Sequence, residues 1–400
     1  SAKVMILQYK AKRKDKTMEI LNDYSWVRGV NHYMSSGEQL KKELGYGKRV
    51  NLNSVRFWLD YRAYAADKTG YIERVVRYTR ECYECGYRVM PIIWNGNMLD
   101  PHMIDEENYP TGDEYTRTIV NALKDEPGLL MWDIMNEPSC NDWIFGEKDH
   151  EIQKAKYEKM WGFVRRYCAF VKNLDHVNAI TVGHTTAVDI EPTADSVDVL
   201  SFHDYNGTSR SIDANYSLAD SLSKKYGKPV LQTETGCLAR ANPYDMALAA
   251  CQKYNMGWFV YELIIHGRCD SEHGVFYPDG TVRDPATIAA MMGCFRNRGE
   301  GIVLPIPNRE GAADRAVEMI KNALTEYTCD GFDYRPSDKE KLLEACEYAA
   351  YLLEGCDMIP MAYPPTAKIA KFRRDVDTPL LEIRQFAFEL AKELKEICQI

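Results

Sequence analysis

The sequence lacks any run of 18 uncharged apolar residues, so no membrane-spanning helix is expected. It lacks an excess of positive charge: 50 Lys and Arg stand against 59 Asp and Glu, a net charge of −9. Such a surface repels phosphate backbones, and nucleic acid is not an expected partner. No GxGxxG or P-loop pattern follows an early strand, which removes the Gly-rich phosphate cradle of the nucleotide-binding folds. The first strand carries no HxH pair, reading GVNHYM, and no second Cys or His pair accompanies Cys82 and Cys85 at metal-ligand spacing. A bound catalytic metal is therefore not expected. An apolar leader is also missing from a chain that opens at Ser1.

Cysteine is not scarce. The 12 cysteines are scattered, several within helical stretches among apolar neighbours, and read as small buried thiols rather than a disulfide framework. Together with the missing leader, they favour the cytoplasm over secretion. Apolar residues make up 45% and charged residues 27%, ordinary for a globular protein. A length of 400 residues admits two or three domains, or one large α/β barrel with an extension.

The pattern along the chain selects the barrel. Residues 1–20 are a segment with the basic run KAKRKDK. Over 21–300, short apolar strands alternate with amphipathic helical stretches. Strands are predicted at Val27–His32, Asn53–Leu59, Arg88–Trp94, Leu129–Asn136, Ala179–Gly183, Asp198–His203, Pro229–Thr233 and Trp258–Tyr261. Their starts lie on average 33 residues apart, enough for a crossover helix between parallel strands. Eight such units predict an α/β fold, a (β/α)8 TIM barrel with a C-terminal helical extension. Residues 301–400 form that extension, with three helical stretches and a Pro-rich break, MIPMAYPPTA. The extension holds 13 Lys and Arg against 18 Asp and Glu.

Active sites of such barrels stand at the C-terminal ends of the strands. Strand four ends in WDIMNEP, placing Asn136 and Glu137 there, and strand seven ends in QTETG, placing Glu234. The two Glu are 97 residues apart, three strand–helix units, so they should face each other across the mouth. Two facing carboxylates suit glycosidic cleavage, which needs one protonated acid at the leaving oxygen and one carboxylate at the anomeric carbon. Strand six ends in SFHDY, giving His203 and Tyr205, and strand two carries Arg56 in SVRFWLDY.

WDIMNEP, SFHDY and QTETG in this order and spacing resemble glycoside hydrolase clan A, and most nearly family 5, the cellulase and mannanase family. The resemblance covers about residues 25–298. It implies a retaining hydrolase of β-glycosidic bonds with a carbohydrate substrate and no cofactor. By that resemblance Glu137 is the general acid/base and Glu234 the nucleophile. Asn136 would bond the sugar 2-hydroxyl. Arg56 would sit beside Glu234 and favour its ionised form, Tyr205 would donate to Glu234, and His203 would touch the sugar or the acid/base. Glu137 should be raised in pKa by a less polar environment or by nearby negative charge.

The sequence departs from the family in two places. The Trp that usually ends strand eight is replaced by Tyr261, with Trp258 expected on the opposite face as packing. The His-Asn pair of strand three is replaced by Trp94 and Asn95; Trp94 would wall a subsite or belong to the core. His32 and Tyr33 could line the sugar site. His184 reads as structural, and His266 and His273 could shape a subsite. The leading reading is an endo-acting β-glucanase or mannanase on plant-type polysaccharide or its oligosaccharides. An exo-acting β-mannosidase or β-glucosidase and a non-catalytic sugar-binding barrel are the alternatives.

Overall fold

Eight parallel strands close on themselves in sequence order: β1 (Arg28–Asn31), β2 (Ser54–Trp58), β3 (Arg88–Asn95), β4 (Trp132–Asn136), β5 (Ile180–His184), β6 (Leu200–Asp204), β7 (Val230–Thr235) and β8 (Gly257–Val260). Pairing of β1 with β8, Gly29 opposite Phe259, completes the ring. These are the contents of a computed structural model, which describes residues 20–265, 273–295, 311–326, 336–356, 358–360, 364–375 and 377–397. All eight predicted strands are present. β4 starts later than expected, because Leu129 makes only an isolated bridge to Val89. β5 and β7 each run past their predicted ends, and Tyr261 lies just beyond β8.

Helices occupy the crossovers, and their ends follow the local chemistry. Asp60 accepts from the backbone N–H of Arg62 and Ala63 and starts the helix Tyr61–Ala66. Asp149 does the same for the long helix His150–Leu174. Helix Ser209–Tyr226 stops at Gly227, whose φ of 62° is the left-handed cap.

The apolar core is divided. A large cluster fills the layer between strands and helices. A smaller one, including Val27, Met90, Val199, Leu231 and Phe259, fills the ring near the strand starts. Above that floor the interior turns polar, with Asn31, Arg56, Asp133, Thr181, Ser201, His203 and Glu234 all buried. Burying this many polar groups is tolerable only where they bond one another, and this makes the upper barrel the place to look for chemistry.

The chain divides into two compact units, Ser1–Arg296 and Asn297–Ile400. The second has its own core, built from residues such as Ile320, Leu343, Cys346, Leu353, Phe386 and Leu390. It has a helix more than the three read from the sequence: Pro364–Arg374 begins inside the Pro-rich break. Proline at the first helical position needs no N–H partner, so a Pro-rich stretch can open a helix as well as end one. The described cysteines are all free thiols; Cys269, Cys329 and Cys398 lie outside the described residues.

Candidate active site

Arg56 organises the upper barrel. It is fully buried on β2, and each of its five N–H groups has an acceptor. Nε and Nη2 donate to Asp133 Oδ2 at 2.9 and 2.8 Å. Nη1 donates to Asn31 Oδ1 at 3.0 Å and to Glu234 Oε1 at 2.5 Å, and Nη2 donates to Asn136 Oδ1 at 2.7 Å. Burial alone would push the guanidinium pKa down, but Asp133 and Glu234 beside it outweigh that and hold it up. Gly183 on β5 makes the cluster possible: a Cβ there would stand 2.6 Å from Arg56 Nη2 and 2.9 Å from Asp133 Oδ2.

Glu234, at the end of β7, accepts from Arg56 on one oxygen and from the Tyr205 hydroxyl at 2.9 Å on the other. Burial first, then the charges of Glu234 and Glu137, push the Tyr205 phenol well above its ordinary range, so it stays a donor. Glu137 follows β4 with φ of 46°, a left-handed conformation that costs a non-glycine residue energy and is concentrated at functional sites. Its backbone N–H donates to Gly183 O at 2.6 Å. Its Oε1 meets His203 Nδ1 at 2.8 Å, and its Oε2 accepts from Asn97 at 3.3 Å. His203 Nδ1 also stands 3.6 Å from Glu234 Oε2.

The pKa expected for Glu137 is corrected here. Burial raises it, as anticipated. The hydrogen bond and charge of His203, the Asn97 amide and the charge of Arg56 act the other way and prevail, holding the carboxyl below its usual range.

One side-chain atom each of Glu137, His203 and Glu234 lies within 4.8 Å of the others. Among the described residues this is the grouping that could hold a metal ion. Its oxygens, however, already accept from Arg56, Tyr205, His203 and Asn97. The donor set fits a hydrogen-bonded acid pair better than a vacant coordination shell.

Both carboxylates open into a cavity of about 860 Å³, which is also lined by Asn95, Asn136, Tyr205 and Tyr261. One wall is aromatic. Tyr33 stacks on Trp58 at 5.4 Å, Trp58 meets Tyr261 edge-on at 5.6 Å, and the Tyr33 and Tyr261 hydroxyls are 2.5 Å apart. Tyr261 thus faces the cavity while Trp258 is buried in the strand–helix layer, on opposite faces. His273 packs edge-on against Tyr261 at 4.7 Å. His266 lies outside the described residues.

One of the sequence-chosen residues stands elsewhere. His32 points out of the barrel, with Nδ1 2.7 Å from the Tyr78 hydroxyl and Nε2 3.0 Å from Glu43 Oε2. β1 ends at Asn31, whose side chain faces Arg56, so alternation turns the next residue outward. Trp94 lines the cavity, and its ring also packs on Tyr115, Phe163 and Tyr167 of the helical layer. His184 is buried against Trp161 and bonds Thr193, and burial then His203 push its pKa down to about 3.

Asn31, Asp133, Asn97, Trp58 and Arg240 were not foreseen. Trp58 was within reach, since Arg56 and Trp58 are two apart on β2 and share a face. Asp133 was signalled only by a charge inside an apolar strand. Alternation would set it opposite Asn136, but the register of β4 shifts between the two, and both side chains reach Arg56.

The chain matches the family model Cellulase (glycosyl hydrolase family 5) over residues 23–267. No curated protein matches it. Among solved structures it is similar to an endo-1,4-beta-mannanase from Rhizomucor miehei, at 16% identity and a TM-score of 0.52 over 66% of this chain and 92% of that one. It is similar to the exo-beta-1,4-mannosidase Op5Man5 from Opitutaceae bacterium strain TAV5, at 16% identity and 0.53 over 78% and 71%. Endoglucanase Cel5A of Pseudomonas stutzeri matches at 16% identity and 0.50 over 68% and 95%. At such identities the likeness establishes the shared barrel.

Proposed function

Since the chain belongs to glycosyl hydrolase family 5 and is a glycoside hydrolase, we propose that it cleaves β-linked glucan or mannan chains, or their oligosaccharides, with retention of configuration. The observation that carries this reading is the spacing of Glu137 and Glu234, with oxygens within 4.8 Å across the barrel mouth. Retaining enzymes hold their carboxyls about 5–5.5 Å apart, and inverting ones about 6.5–9.5 Å to admit a water.

In the proposed first step, Glu234 attacks the anomeric carbon while Glu137 gives its proton to the departing glycosidic oxygen. In the second, Glu137 takes a proton from water, water attacks the same carbon, and Glu234 leaves. Arg56 and Tyr205 aim Glu234, Asn136 bonds the sugar 2-hydroxyl, His203 orients Glu137, and Tyr261 offers its ring to sugar C–H groups. His32 has no part in this scheme, and Trp94 forms part of the cavity wall.

The lowered pKa of Glu137 in the open site fits the cycle. Burial is already its largest influence and acts upward. A bound sugar removes the remaining water, which strengthens that influence when an acid is needed. Esterification of Glu234 then removes a neighbouring negative charge and returns Glu137 to its basic form.

The reading is tested by incubation with activated 2-deoxy-2-fluoro glycosides of the gluco, manno and xylo series. One of them should add one label per chain, mapping to Glu234. A label elsewhere overturns the placement, and no label together with no hydrolysis of β-glucan, mannan or xylan overturns the activity.

Asn97 has a consequence of its own. Its amide stabilises the Glu137 carboxylate, so Asn97→Ala leaves that carboxyl protonated to higher pH. The basic limb of the kcat/KM profile should move upward, with kcat/KM at the optimum changed roughly 2- to 10-fold. An unmoved basic limb would show that Asn97 does not act on the acid.

A further inference from the structure

The cavity wall carries a cation that the scheme above does not use. Arg240 lies in the loop between β7 and helix Tyr244–Lys253 and lines the cavity with both carboxylates. Its guanidinium sits 5.0 Å above the Tyr205 ring, and the hydroxyl of that ring bonds Glu234. No carboxylate among the described residues forms an ion pair with it. Asp204, the nearby acid below the loop, is buried and bonded to Asn206, Asn215 and Asn242.

The loop that carries this side chain is pinned at its base. Cys237 and Asn242 pair across its base. Asn242 is 1% exposed; it accepts from Thr235 Oγ1 and Gly236 N and donates to Asp204 and to Asn206 O. Between them Ala241 adopts a φ of 51°. An arginine at the tip of a pinned loop, stacked on a ring, keeps its planar fork free for a ligand.

Arg240 is exposed, so its fork is hydrated in the open cavity. A sugar bound beside it would displace part of that water. Neutral hydroxyls satisfy a guanidinium incompletely, whereas a carboxylate accepts two parallel N–H bonds. Two other acids in the wall, Asp60 and Asp100, already accept from backbone N–H groups at turn starts. The net charge of −9 opposes acidic ligands at long range, but such fields are screened beyond about 8 Å at physiological ionic strength. The local fork therefore governs what happens inside the cavity.

We propose that Arg240 pairs with a sugar carboxylate, so that the preferred substrate is an acidic β-linked saccharide with a uronic acid unit beside the scissile bond. The proposal rests on the glycosidase reading above and names its substrate class. The carboxylate could belong to the main chain or to a branch, and the test separates the two.

Hydrolysis rates are compared within neutral and acidic pairs: cello- against cellouronic oligosaccharides, manno- against mannuronic oligosaccharides, and xylo-oligosaccharides against their glucuronosyl-branched forms. The wild type should favour the acidic member of at least one pair by about 10- to 100-fold in kcat/KM, the range of a charge-assisted hydrogen bond. Preference in the first two pairs assigns a main-chain carboxylate, and preference in the third a branch. Arg240→Gln should abolish the preference, the acidic partner losing at least about ten times more kcat/KM than the neutral one, and Arg240→Lys should restore part of it. Equal or better hydrolysis of every neutral member, or a preference unchanged in Arg240→Gln, overturns the role of Arg240 alone. No hydrolysis of any member, with no label on Glu234, overturns the glycosidase reading and this proposal together.

Discussion

Glu234→Gly is expected to lose turnover by on the order of 10⁵-fold, and azide is expected to restore part of it as an α-glycosyl azide. The carboxylate sits on the floor of the cavity, held by Arg56 and Tyr205. Removing it leaves a hole beside two donors, where a small anion can lodge and attack from the same side. Attack from that side inverts a β-linked centre once, and no second displacement follows. Glu137→Ala should behave differently. Its loss in kcat/KM should be about 10²- to 10⁴-fold on natural leaving groups and small on dinitrophenyl glycosides, whose leaving oxygen needs no proton, while kcat on the latter falls because the second step has lost its base. Azide should then intercept the glycosyl-enzyme and give the β-glycosyl azide, the product of two inversions. Proton NMR of the two azides reads the anomeric configuration directly. The same azide from both variants, or exchanged azides, would sink the assignment of roles.

Much of this arrangement was written in local sequence. Apolar runs ending in polar residues, spaced for crossover helices, revealed all eight strands and put Glu137 and Glu234 at facing ends. Arg56 announced itself as a charge within an apolar strand. Alternation failed where the backbone is irregular. The shift in β4 brings Asp133 and Asn136 to the same guanidinium, although their separation sets them on opposite faces of a regular strand. His32 was misplaced by one residue, and one residue reverses a face. Asn97 was illegible for another reason. Its turn, Gly96–Met98, is fixed by Asn141 from a different loop, which donates to Gly96 O at 2.6 Å and Leu99 O at 3.2 Å. Packing closes the turn on Glu137, since a Cβ at Gly96 would stand 2.1 Å from Glu137 O. Nothing near residue 97 carries that information. Arg240 is similar, for the pin that holds its loop is a buried Asn bonded to β6.

Arg56→Met is the substitution expected to harm both stability and activity, and for separable reasons. It removes five hydrogen bonds and leaves Asp133 fully buried with no counter-ion. Breaking a buried pair from one side costs about 3–5 kcal/mol, because the remaining charge stays desolvated. Arg56→Lys keeps the charge but supplies three donors where five are used, so Asn31 or Asn136 must lose its contact. Adding Asp133→Asn to Arg56→Met removes the stranded charge. Stability should then recover in part while activity does not, since Glu234 still lacks the cation that aims it. All seven Trp lie within the barrel unit, between Trp26 and Trp258. Trp fluorescence in urea therefore follows the barrel without contribution from the helical unit, and kcat/KM follows Glu234. A double variant as active as the wild type would show that Arg56 serves only to neutralise Asp133. A single Arg56→Met variant as stable as the wild type would mean that Asp133 finds another partner when Arg56 is gone.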